Sequence, residues 1–118
     1  MSCFWDTLLK NINNYQSINE FIDFLKEKNK LTRNVLWNNL KLSEIQIKEN
    51  FNHIKDFNKN TIQNGYDCSS CDPFLLLICE LFEIEIIHHF NGTIINYKYK
   101  NPKDKKIITI HNNMGHMW

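Results

Sequence analysis

The sequence predicts an α+β domain in which N-terminal helices and one central buried helix pack on a small, mainly antiparallel C-terminal sheet. Three observations predict it. Apolar residues recur at helical spacing through the first half, the stretch from Phe74 to Phe82 is apolar nearly all round, and the last third alternates short Ile-rich runs with turn signals. The chain of 118 residues suits a single domain over residues 1–118.

Phe4, Trp5, Leu8, Leu9 and Ile12 share one helical face, so a first helix is expected to start near Ser2 or Cys3. Ser17-Ile18-Asn19-Glu20 has the form of a capping box, and Phe21, Ile22, Phe24 and Leu25 continue it toward Lys28. Val35, Leu36, Trp37 and Leu40 suggest a short third helix. Ser43-Glu44-Ile45-Gln46 is a second capping box, leading into Ile47, Phe51 and Ile54. Residues 58–72 are polar and read as a loop. Asp72-Pro73 then reads as the N-cap and first residue of the central helix, because Asp caps well and Pro suits the first turn. Residues 83–90 form an expected strand, Asn91-Gly92 a hairpin turn, and residues 93–99 the returning strand. A turn at Asn101-Pro102 leads to a third strand over 107–111, completing an antiparallel meander. Residues 114–118 are expected to hold a short final strand.

Composition narrows the function classes. The net charge of +1 gives no strong pull toward nucleic acid or an anionic membrane. Arg33 is the sole arginine, which argues against recognition of phosphates by bidentate guanidinium. Ala is absent and Asn, Ile, Lys, Phe and Tyr abound, the bias of A/T-rich coding, consistent with a viral or parasite source. The first residues lack a basic start and a small-residue cleavage site, and no apolar run suits a bilayer. An intracellular protein is therefore expected, with its four Cys as thiols.

Catalysis by a cysteine needs a thiolate, a base and donors for an oxyanion. A helix N-terminus favours the thiolate through its dipole and unpaired N–H groups. Cys3 stands at the expected start of the first helix and His116 at the start of the last strand. The segment Cys3-Phe4-Trp5-Asp6-Thr7-Leu8-Leu9 resembles the cysteine box of the ovarian-tumour (OTU) deubiquitinases, especially viral ones. The stretch 72–86 resembles that family's central helix and following strand, and 107–118 its closing strand, polar loop and His before a bulky residue. The set is in order and spans nearly the whole chain. The resemblance implies a papain-like OTU fold and hydrolysis of isopeptide bonds at the C-terminus of ubiquitin or a ubiquitin-like modifier. It implies Cys3 as nucleophile and His116 as general base in a Cys–His dyad, with no cofactor and no metal. Asn112, Asn113 or the Trp118 carboxylate would orient His116, and ubiquitin conjugates in the host cytoplasm would be the partners, with no role for nucleic acid or membrane.

Two other readings stand beside this one. A catalytically weak or inactive OTU-fold module would bind ubiquitin or another protein, and its binding would survive Cys3→Ala. A small zinc-binding interaction domain would use Cys68-Ser69-Ser70-Cys71, but a structural zinc site needs two further ligands, and His88, His89 and His111 form no recognised second pair. His88 and His89 are adjacent on a strand and must face opposite sides. Cys79, inside an apolar helix, reads as core.

Overall fold

The computed structural model describes residues 3–12, 17–58, 68–90, 92–101, 106–113 and 116–117; within these, side chains are described except at 3–4, 68–71, 112–113 and 116–117. The described residues form four helices over a six-stranded mixed sheet of order β2-β1-β4-β3-β5-β6.

Helix α1 (Cys3–Ile12) buries Trp5, Leu8 and Ile12, which recur on one face. Helix α2 (Ile18–Glu27) is capped by Ser17, whose hydroxyl accepts from the Glu20 N–H at 3.1 Å, and buries Phe21, Ile22 and Leu25. Helix α3 (Glu44–Lys55) has the complete box: Ser43 Oγ accepts from the Gln46 N–H, and Gln46 Oε1 accepts from the Ser43 N–H. Both helix starts follow the sequence expectation.

The expected third helix is instead a hairpin. Strands β1 (Val35–Trp37) and β2 (Leu40–Lys41) pair antiparallel across Asn38 and Asn39, with φ of 50° and 66°. Two successive left-handed residues make the turn whose twist matches a hairpin, and Asn tolerates that region better than most residues. Asn38 also ties the turn to the next strand: its N–H donates to the Asn96 carbonyl at 2.7 Å, and its Oδ1 accepts from the Asn96 N–H at 2.8 Å. The apolar residues 35–37 and 40 thus serve a strand pair with too few residues to show its period of two.

Helix α4 (Cys68–Phe82) starts a turn before the expected Asp72 cap, so Pro73 lies inside it. The extension is polar and carries no apolar period, which hid it in the sequence. Pro73 forgoes one helical hydrogen bond just past the first turn. Asp72 is held instead by tertiary structure, its Oδ1 accepting from the Tyr97 hydroxyl at 2.9 Å. From Phe74 to Cys79 the helix is buried on all sides, and Trp5, Phe57 and Phe74 meet edge-on or tilted, with Trp5–Phe74 and Phe57–Phe74 centroids both 4.9 Å apart. Glu80 is buried too. Its carboxylate accepts from the Asn34 N–H at 2.9 Å and from Asn34 Nδ2 at 3.2 Å, fixing the chain where it enters β1.

Strand β3 (Glu85–Phe90) pairs with β4 (Thr93–Tyr99) as the expected hairpin, with Phe90 opposite Thr93 and Gly92 at φ 85° in the turn. The expected meander then fails. Strand β5 (Ile107–Asn113) lies parallel to β3, Glu85 opposite Ile107, rather than beside β4. The far edge of β4 is already occupied by β1, with Val35 opposite Tyr99. Tyr99 ends β4 beside the start of β3, its N–H bonding the Ile84 carbonyl. At that same end of β3, on its other edge, the Glu85 N–H donates to the Lys106 carbonyl at 3.1 Å where β5 begins. Strand β6 (His116–Met117) closes the sheet antiparallel to β5.

The strands present Val35, Ile86, His88, Ile95, Tyr97, Ile108 and Ile110 to the helical layer. Their alternate residues, among them Glu85, Ile87, His89, Ile94, Asn96, Lys98, Thr109 and His111, are partly or fully exposed on the other face. No helix among the described residues is long and apolar enough to cross a membrane.

Candidate functional site

Two regions gather chemistry, at opposite edges of the sheet. At the β6 edge, α1 begins at Cys3 and packs against β6, which begins at His116. The residues are over a hundred positions apart in sequence, and the fold sets their elements side by side. The backbone of Asn113 lies opposite His116 and that of Asn112 opposite Met117, so two of the three expected orienting residues belong to the neighbouring strand. The side chains of Cys3, His116, Asn112 and Asn113, and the whole of Trp118, lie outside the described residues. A Cys at the first residue of a helix stands among unpaired backbone N–H groups at the positive end of the dipole, the setting that favours a thiolate.

The indole of Trp5 anchors α1 two residues beyond Cys3. It is nearly buried and packs edge-on against Phe74 and Phe21. The start of α1 is therefore held by the aromatic centre of the core.

Between the two edges the central strands carry histidines in two environments. His88 faces the helices and is buried, its ring meeting Phe90 edge-on at 5.8 Å. Burial pushes its pKa down to about 4, and the neighbouring His89 and His111 push the same way. On the opposite face His89 and His111, in register on parallel strands, stack with centroids 4.6 Å apart. The opposed directions of His88 and His89 follow the expected alternation.

Among the described residues no group of three or more His, Cys, Asp or Glu gathers to hold a metal ion. The Cys68 and Cys71 side chains lie outside those residues; their backbones belong to the start of α4 and not to a preceding loop. Cys79 is core, as expected, and burial drives its thiol pKa upward, away from the thiolate.

The second region was not foreseen. A cleft of roughly 370 Å³ opens at the β2 edge between α3, α4 and the β1–β2 hairpin. Helix α3 lines it with Gln46, Glu49, Asn50 and His53, which share one helical face, and α4 with Asp72, Pro73 and Leu76. Trp37 and Leu42 complete the wall. The residues come from three separate elements, and the sequence spacing places Trp37 in a helix, so no local signal joins them.

Comparison with known proteins adds no relative. No protein-family model, curated protein or solved structure matches the chain. The functional reading therefore rests on residue chemistry and on the arrangement of elements.

Proposed function

We propose that the chain is a cysteine-type deubiquitinase with a papain-like OTU fold, cleaving isopeptide bonds at the C-terminus of ubiquitin or a ubiquitin-like modifier in the cytoplasm of an infected cell. One observation carries the reading: α1, which begins at Cys3, packs against β6, which begins at His116. A thiol at a helix start beside a strand bearing a base is one arrangement that serves such chemistry.

In the proposed reaction His116 takes the thiol proton and the Cys3 thiolate attacks the carbonyl carbon of the modifier's C-terminal glycine. The Cys3 N–H is one donor for the oxyanion. As the C–N bond breaks, His116 returns the proton to the departing lysine amine, leaving a thioester on Cys3. Water attacks the thioester while His116 accepts its proton, and the thiolate leaves with the free carboxylate as the other product. Asn113, opposite His116 in register, is the preferred orienting residue of the candidates.

Cleavage of ubiquitin dimers tests this. The full chain is expected to release monoubiquitin, and Cys3→Ala or His116→Ala to lower the rate by at least about a thousandfold. Release unaffected by either substitution, or no release from any linkage or modifier, would refute it. A second reading, a non-catalytic module binding a protein partner, is favoured by a different observation: the open cleft lies at the β2 edge, away from α1 and β6.

A further inference from the structure

The cleft at the β2 edge has a chemical character that the deubiquitinase reading does not use. Its described lining holds two carboxylates, Glu49 and Asp72, and no Lys or Arg. The cations near it among the described residues point elsewhere. Lys41 is opposite Leu36, whereas Trp37 is opposite Leu40, so alternation sends Lys41 to the other face of the hairpin. Lys48 does not share the face of α3 that carries Gln46, Glu49, Asn50 and His53. Arg33 is engaged by Glu44 outside the cleft.

The carboxylates are set among groups that suit a long cationic side chain. Asp72 is positioned by the buried Tyr97, whose hydroxyl donates to it. Leu42, Pro73 and Leu76 offer apolar surface for an aliphatic stem, Asn50 offers an amide acceptor, and Trp37 offers an aromatic wall. The volume lies at the small end of ligand-pocket sizes, enough for one long side chain. Apolar surface continues beyond it: Leu40, the cross-strand neighbour of Trp37, is 65% exposed, and Ile45, beside Gln46 at the start of α3, is 70% exposed. β2 is also the edge strand of the sheet, whose outer backbone groups suit an extended segment.

We propose that the cleft between α3, α4 and the β1–β2 hairpin docks a Lys or Arg side chain of a partner protein, presented in an extended segment with apolar residues on either side. The cation lies between Glu49 and Asp72 with its stem against Trp37 and Leu76, and the flanking apolar residues cover Leu40 and Ile45. The site is independent of Cys3 and His116, so it stands or falls separately from the catalytic reading.

NMR of the full chain tests it, following the Trp37 indole N–H signal, assigned by Trp37→Phe. The probes are the blocked tripeptides Ac-Leu-Lys-Leu-NH2 and Ac-Leu-Arg-Leu-NH2, with Ac-Leu-Gln-Leu-NH2 and n-butylammonium chloride as comparisons. The Lys or Arg peptide is expected to shift the signal saturably and to bind at least about tenfold more tightly than either comparison probe. Glu49→Gln, at an exposed position, is expected to weaken that binding about three- to tenfold. Asn50→Lys, which supplies a cation from within, is expected to abolish it while the rest of the spectrum is unchanged. The proposal is overturned by no saturable shift with either cationic peptide, by equal affinity for the Gln peptide, or by indifference to both substitutions. Butylammonium binding as tightly as the peptides would make this a free-amine site and refute the protein partner.

Discussion

Acidification is expected to strip stability from this fold through one buried imidazole. His88 sits in the helix-facing layer of β3, between Ile95 and Ile110 in register, and is fully buried. Its folded pKa is lowered to about 4, first by burial and then by His89 and His111. In the unfolded chain a His titrates near 6.5. Because the folded value lies below the unfolded one, falling pH protonates the unfolded chain first. Stability is thus unaffected above about pH 6.5, declines as pH falls through the window from about 6.5 to about 4, and is reduced by the full amount below it. The gap corresponds to about 3 kcal/mol, of which about 2.5 kcal/mol is gone by pH 4.5. That is a large share of the 5–15 kcal/mol typical of a domain. Urea unfolding followed by tryptophan fluorescence at a series of pH values measures it, with His88→Leu as the non-titrating control. Between pH 7 and pH 4.5 the native chain is expected to lose about 2–3 kcal/mol more than His88→Leu. Equal losses in the two proteins, or a smaller loss in the native one, would refute the assignment of a buried neutral imidazole.

Three further outcomes follow from the packing. Asn39→Gly is expected to raise stability by about 0.5–1 kcal/mol in thermal or urea unfolding, since Asn39 holds φ of 66° in a turn that favours Asn-Gly. Glu80→Ala is expected to cost about 2–3 kcal/mol by leaving the Asn34 donors without their carboxylate, and Glu80→Gln about half that, measured the same way. Trp5→Ala is expected to cost about 3–5 kcal/mol in urea unfolding, because its ring is nearly buried against Phe21, Phe57 and Phe74.

The elements legible in sequence were those with local chemistry. Ser17 and Ser43 mark their helices because a hydroxyl satisfies an otherwise unpaired N–H, a signal contained within four residues. The β3–β4 hairpin was likewise visible from Asn91-Gly92 between two Ile-rich runs. What could not be read was set by distant pairing. Val35-Leu36-Trp37 is too short to show a period of two, and becomes a strand because β4 offers it an edge. The parallel placement of β5 follows from that same occupied edge, which no residue in 107–113 announces. Pro73 signalled a helix start correctly in kind, but a polar turn extends the helix before it.

The same division runs through the sites. Cys3 and His116 were singled out by residue type and order, and the fold brings α1 and β6 together. The cleft at the other edge was invisible because Trp37, Glu49 and Asp72 carry no motif until α3, α4 and the hairpin meet.

The central claim, that Cys3 is a nucleophile acting on ubiquitin or a related modifier, is tested most directly by trapping. The purified chain is mixed with ubiquitin, or a ubiquitin-like modifier, carrying a thiol-reactive group at its C-terminus, beside Cys3→Ala and Cys68→Ala, and the products are weighed by intact mass spectrometry. A single adduct on the native chain and on Cys68→Ala, absent from Cys3→Ala, is the predicted result. An adduct that persists in Cys3→Ala, or none with any modifier, would contradict it.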